Sequence, residues 1–279
     1  MKWDDKGESS DVEDRRGGGG GGGGLKLGLG GTLVVLALSL FFKRDFFALL
    51  GSGGGSTAPT TTADPARGNQ AHPDDKKLVS FVSFVLDDVQ KTWTATLPSY
   101  RKAKLVLFDD ATRSGCGAAE SAMGPFYCPA DEKVYIDLGF YRELSTRFGA
   151  PGDFAKAYVL AHEIGHHVQN LLGTEQKLRA AQAANPAQKN TLSVKMELQA
   201  DCYAGVWAHS TAERGILEMG DLESGLGAAA AVGDDRLQKA ATGRVTPERW
   251  THGSSAMRMS WFKRGYANGK LSDCDTFAQ

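Results

Sequence analysis

A chain of 279 residues, 41% of them hydrophobic, can bury a sizeable core in one or two domains. Its formal net charge of −1 and its pI near 6.6, with no basic stripe, exclude a nucleic-acid binder, which needs a cationic face for phosphates. The 35 glycines are inflated by the run Gly17 to Gly24, so the remainder is ordinary in composition.

Residues 1–24 are charged and then glycine-only, and the composition predicts a disordered segment with nothing to build a core. An apolar run follows from Leu27 to Phe42, flanked by Lys26 and by Lys43-Arg44. It is shorter than the roughly 20 residues of a spanning helix. It reaches that length if the basic flanks snorkel or if Phe46 to Leu50 completes the crossing. A cleaved signal peptide would start nearer the N-terminus and end in small residues, so residues 25–50 are expected to be an uncleaved membrane anchor. Arg15, Arg16 and Lys26 on one flank balance Lys43 and Arg44 on the other, and the positive-inside count gives no orientation. Residues 51–73 are a Gly, Ser, Thr, Ala and Pro linker, and the folded domain is expected over 74–279.

Within that domain Leu78, Val79, Val82, Val85, Leu86, Val89 and Trp93 form a helical stripe that stops at Leu97-Pro98. Lys104–Phe108 and Lys133–Asp137 read as strands, with a Gly- and Pro-containing loop between them, and Phe140 to Phe148 reads as a short helix. A helix and short strands ahead of further helices imply a small α+β domain, mostly helical with a short sheet. Were Val134 to Asp137 an exposed edge strand, it could take an extended peptide by strand addition; a plain core strand fits the same residues.

The stretch Ala157 to Gln169 contains His162-Glu163-Ile164-Gly165-His166. Four-residue spacing on a helix puts both imidazoles on one face, able to share one metal ion, with Glu163 beside them as a general base. Asp153 is a natural N-cap for this helix and Gly173 a natural stop. His167, rotated about 100° from His166, is expected to pack or to hydrogen-bond outside the ligand shell. A surface helix with the same letters would need no metal, but here the first histidine lies among apolar residues, where an unliganded polar cluster is costly.

A catalytic zinc takes three protein ligands and leaves a place for water. A third histidine six residues after His166 is excluded, because that position is Leu172 and the preceding glycine position is Gln169. After a polar helix over 175–184, the helix from Val194 to Trp207 offers Glu197 and Asp201 four residues apart. Glu197 is the expected ligand, with Asp201 accepting a hydrogen bond from a ligand histidine. Glu175, Asp221, Glu223, His209 and His252 are competitors for the same place. His252, Tyr203 and Arg258 are the candidate donors to an oxyanion.

The four cysteines lack C-x-x-C spacing. Two bridges are the simplest account, Cys116 with Cys128 and Cys202 with Cys274; reduced thiols are the other reading. Bridges would place the domain outside a reducing cytosol, which points to a single-pass protein of the inner membrane with a periplasmic domain.

Together with the Asp-Val-Glu-Asp-Arg-Arg start and the glycine tract, four segments carry a resemblance: Ala157 to Gln169, Glu197 to Gly205, Gly124 to Asp131 and Thr251 to Phe262. The chain resembles the bacterial neutral zinc metallopeptidases, a family similar to the gluzincins, over nearly its whole length. The resemblance implies a zincin-like domain, zinc held by His162, His166 and Glu197, and a peptide or protein substrate. The expected chemistry is hydrolysis by a zinc-activated water with Glu163 as base. The alternative, from a different class, is a zinc-containing envelope adaptor without catalysis, and a third is a peptidase kept latent by its own N-terminal segment.

Overall fold

The computed structural model describes residues 1–5, 7–16, 75–146 and 149–278. The glycine tract, the expected anchor at 25–50 and the linker at 51–73 lie outside the described residues. Among those described, no helix is long and apolar enough to cross a membrane.

The two apolar runs anticipated as strands pair with each other. β2 (Lys104–Phe108) lies parallel to β6 (Lys133–Asp137), with Val106 opposite Tyr135. Both are buried on two faces, which suits parallel strands under a helical layer. The loop between them is more structured than its glycines imply. It contains the hairpin β3 (Ala111–Ser114) and β4 (Gly117–Glu120), then β5 (Phe126–Cys128), which returns antiparallel to β6. β6 is therefore an interior strand and not an edge; the edge on that side is β5.

The opposite edge corrects a second expectation. Residues 1–16, anticipated as disordered, are packed: β1 (Val12–Asp14) adds in parallel to β2, giving the order β1-β2-β6-β5. The reason lies in a few residues that composition averages away. Met1, Trp3 and Val12 pack against the core, and Trp3 stands edge-on to Phe81 at 5.3 Å.

One face of the sheet carries helices. α1 (Asp75–Thr96) buries Val79, Val82, Val85, Leu86, Val89 and Trp93, the stripe read from the sequence. α2 (Leu138–Thr146) leads to α3 (Asp153–Leu171), the helix of the two histidines. Its N-cap is Gly152 rather than Asp153, which is the first helical residue and accepts from the Trp3 indole instead. Beyond α4 (Thr174–Ala184) come α5 (Lys189–Glu213), α6 (Asp221–Ala231), α7 (Asp234–Thr242) and α8 (Ser255–Asn268).

Three glycines set how closely these helices approach. A Cβ on Gly165, inside the His-Glu-x-x-His stretch, would stand 3.0 Å from the Ala200 carbonyl, so its bare backbone lets α5 lie against α3. A Cβ on Gly265 would come within 1.9 Å of the Cys202 carbonyl, and one on Gly205 within 2.1 Å of the Phe262 carbonyl. α5 and α8 thus cross backbone to backbone, and no larger residue fits at either position. The sulfurs of Cys202 and Cys274 are joined and tie α5 to the C-terminal turn; Cys116 in the turn between β3 and β4 is joined to Cys128 at the end of β5. Both pairings match those read from the sequence.

Candidate metal centre

His162 and His166 stand one turn apart on α3 and face Glu197 on α5. Nε2 of His162 is 3.3 Å from Glu197 Oε2, and Nε2 of His166 is 3.6 Å from Oε1. One ligand atom from each lies within 4.8 Å of the other two. Among the described residues this is the one such cluster of His, Cys, Asp and Glu side chains, and Glu175, Asp221, Glu223, His209 and His252 do not belong to it.

The imidazoles are prepared for a metal by what holds their other nitrogens. Nδ1 of His162 donates to Asp201 Oδ1 at 2.9 Å, since an ionised carboxylate only accepts. Nδ1 of His166 donates to Gln169 Oε1 at 2.8 Å. The Gln169 amide is fixed in that sense because its Nε2 donates to the Met196 carbonyl at 2.7 Å and to Gln199 at 3.1 Å. Each histidine then presents an Nε2 lone pair to the space beside Glu197, and the orientation cannot flip without breaking a buried bond. Two imidazoles and one carboxylate suit zinc, and three ligands leave one position open.

Asp201 is itself gripped from three sides. Arg258 on α8 donates from Nε to Oδ2 at 2.8 Å and from Nη2 to Oδ1 at 2.9 Å, and the Tyr158 hydroxyl donates to Oδ1. Aspartate and arginine are both almost inaccessible, at 0% and 3% side-chain exposure. Burial opposes the charge on each, yet their mutual attraction outweighs it: the Asp201 carboxyl is held below its usual range and the Arg258 guanidinium above. Burial also opposes a charge on His162, but Asp201 and then Glu197 overcome it and raise its pKa to about 9. Proton and metal ion compete for that Nε2, so the same carboxylates that favour the imidazolium favour a cation of any kind. Glu197 lies well below the usual range, kept ionised against burial by the two ligand histidines and His252.

Glu163 is buried with its neighbours, at 8% exposure, on the turn of α3 between the two ligands. His252 is half-exposed. Its Nδ1 is 3.3 Å from Asp234 Oδ1, and Asp234 Oδ2 accepts the backbone N–H groups of Thr251, His252 and Gly253 at 2.8, 2.6 and 3.0 Å. The loop is thereby clamped with the imidazole in electrostatic range of Glu197. Burial opposes its charge, but Asp234 and Glu197 raise its pKa above the usual value.

The other two donor candidates are placed elsewhere. Tyr203 is 3% exposed and packs edge-on against Trp93 at 5.4 Å; six residues past Glu197, it points some 240° around α5 into the core. Arg258 is consumed by Asp201 and serves the ligand shell from behind. His167 does what its position implied: Nε2 meets the Arg101 carbonyl at 2.6 Å and Nδ1 the Tyr127 hydroxyl at 3.0 Å. Asn170 donates to the same hydroxyl, so β5 is bolted beside the metal helix. Sequence reasoning missed Gln169, Tyr158, Asp234 and the structural use of Arg258. The one available signal was spacing, because Gln169 lies three residues beyond His166 and Tyr158 four before His162.

A family model described as "Putative neutral zinc metallopeptidase" matches residues 1–277. YpfJ of Escherichia coli strain K12 is 46% identical over 292 residues, spanning 100% of this chain and 99% of that protein. Rv2575 of Mycobacterium tuberculosis strain H37Rv is 48% identical over 203 residues, 69% of this chain and 68% of its own length. No solved structure matches.

Proposed function

The chain belongs to the putative neutral zinc metallopeptidase family, and from that premise we propose that it is a peptidase whose site is His162, His166, Glu197 and Glu163. The observation that carries the reading is the ligand set: three donors, His162 buried and His166 and Glu197 partly so, the two imidazoles fixed by hydrogen bonds on their far nitrogens, with no fourth in the cluster among the described residues. A structural zinc is normally closed by four protein ligands, so an open three-ligand shell favours catalysis over an adaptor role.

Zinc bound there supplies a Lewis acid that polarises the scissile carbonyl and acidifies water. Glu163 takes the proton of the attacking water and delivers it to the leaving amine. His252, half-exposed and steadied by Asp234, is the donor we assign to the developing oxyanion. The substrate backbone is held by β5, the edge strand bolted to α3 through Tyr127, by strand addition. Residues 25–50 bring the protein to the inner membrane, and the two disulfides favour its periplasmic face.

The test is Glu163→Gln in zinc-loaded full-length protein. Cleavage of a denatured protein substrate is expected to fall by about 10²–10⁴-fold or more while metal analysis still finds one zinc per chain. Unchanged cleavage with zinc in place would overturn the assignment. A comparison of protein termini in cells carrying wild type and variant would then reveal the substrate.

A further inference from the structure

The N-terminal sixteen residues and the domain after residue 75 share one sheet, and this constrains how the chain can meet a membrane. β1 pairs with β2 through Val12 opposite Leu105, Glu13 opposite Val106 and Asp14 opposite Leu107. The Leu105 amide donates to the Asp11 carbonyl and the Arg15 amide to the Leu107 carbonyl, both at 2.8 Å. Around this pairing the described residues of the segment are tied down at several points. The Met1 amino group meets Asp221 at 2.8 Å and Glu218 at 3.2 Å, and Ser9 donates to Asp87 at 2.6 Å. Asp11, 6% exposed, receives Lys104 at 2.7 Å, Lys102 at 3.0 Å and Gln90 at 3.2 Å.

The last described residue before the apolar run and the first after it are in contact: Arg16 Nη1 is 3.2 Å from Asp75 Oδ2. Whatever course the chain takes between them, it leaves and re-enters the domain at one place. A single bilayer crossing would put its two ends on opposite sides, separated by a hydrocarbon layer of about 30 Å. β1 could not then reach β2, whose central residues are 0% exposed and would be left along a bare parallel edge. The number of crossings between Arg16 and Asp75 must be even. Two crossings require roughly 40 apolar residues. The sequence offers Leu27 to Phe42 and, after Lys43-Arg44-Asp45, only Phe46 to Leu50.

We propose that residues 1–16 and the peptidase domain lie on the same side of the membrane, as one folded unit. The proposal replaces the single-pass arrangement expected from hydropathy and does not rest on the peptidase reading.

The experiment uses full-length protein in bacterial cells with single exposed cysteines, Ser10→Cys on the N-terminal segment and Ala187→Cys on the domain. Both positions are exposed, and the chain with only its four native cysteines, labelled in parallel, sets the background on either side of the membrane. A membrane-impermeant maleimide is added to intact spheroplasts and, separately, after lysis. The expected result is that both positions behave alike. Labelling of one in intact spheroplasts and of the other only after lysis would overturn the proposal. Labelling of both from outside supports it together with the periplasmic placement; labelling of both only after lysis supports it and removes that placement. Glu8→Cys and Gln188→Cys form a second exposed pair should either first variant fail to accumulate. Glu163→Gln activity is a separate readout, so failure of the topology and failure of the peptidase reading are distinguishable.

Discussion

The candidate metal centre and the N-terminal segment are both assembled from residues far apart in sequence, but by opposite means. At the centre Asp201, Arg258, Tyr158 and His162 close a network with almost no water contact, on helices that approach within backbone distance. Residues 1–16 lie along the far edge of the sheet and rely on one short strand pairing, on Trp3 and Val12 packed at the rim of the core, and on ion pairs whose lysines are 44% and 57% exposed. Buried charge is stable only with every partner in place, which fixes a single geometry. Exposed pairs are each worth about 0.2–1 kcal/mol and are screened by salt, which makes the docked segment the reversible part of the molecule.

The largest break in this comparison is expected from Asp201→Asn. It leaves the Arg258 guanidinium buried without its counter-charge, a loss of about 3–5 kcal/mol. Since the acceptor of the His162 Nδ1–H also loses its negative charge, zinc affinity should fall by roughly 10–100-fold. Urea unfolding and competitive zinc titration measure the two effects. A stability loss under about 1 kcal/mol would mean that the network does not hold the site. Next in size is the joint substitution of Cys202 and Cys274 by serine. The bridge closes a separation of 72 residues, for which chain entropy gives roughly 4 kcal/mol. Gln199 and Thr276 add bonds between α5 and the C-terminal tail, so part of that stabilisation should survive the loss. The variant should unfold at lower urea yet keep zinc binding, because neither sulfur touches a ligand. The Cys116 and Cys128 bridge, with a separation of only 12, should matter less.

Trp3→Ala tests the other region. The indole donates to Asp153 at 3.2 Å and packs on Phe81, and its loss should weaken docking of residues 1–16 by about 1.5–3 kcal/mol. Faster amide exchange at Val12, Glu13 and Asp14 with unchanged zinc occupancy is the expected result. A parallel loss of zinc would show that the two regions are coupled.

The two regions also differ in how readily the sequence gives them up. His162, His166, Glu197 and Asp201 follow from helical periodicity, because each pair is four apart and one turn of helix is a local rule. β2, β6 and α1 follow in the same way from apolar runs with clear stops. The partners that complete the site do not, since Arg258 reaches Asp201 only because Gly205 and Gly265 let α8 lie on α5, a relation spread over some sixty residues. Tyr203, six residues past Glu197, is turned into the core by the rotation of the helix, which its place among the candidate donors does not reveal. β1 was invisible because a three-residue parallel strand has no hairpin partner and its neighbours are charged. Those charges read as solvated, whereas Asp11, Glu13 and Asp14 each have a cation waiting on the domain or beside them.

That charge pattern gives the smallest and most specific expected effect, release of β1 in acid. Burial works against the Asp11 charge, but Lys104 and Lys102 outweigh it. Lys133 and then Arg15 outweigh burial at Glu13, and Arg16 does so at Asp14, so all three carboxyls lie below their usual values. A depressed folded pKa stabilises the docked state at pH values above the free-chain value of about 4 and ceases to do so as pH falls through the lowered one. Docking should therefore be intact at neutral pH and weaken progressively below about pH 4, by a few tenths of a kcal/mol per pair. Because the lysines are exposed, 1 M salt at pH 7 should loosen β1 in the same direction, while the Asp201 and Arg258 pair, shielded from ions, should not respond. Amide exchange at Val12, Glu13 and Asp14, compared with amides of α3 and α5, reads both changes. A strand whose exchange does not respond to salt would show that the segment is held by apolar packing, with Trp3 and Val12 carrying what is assigned here to charge.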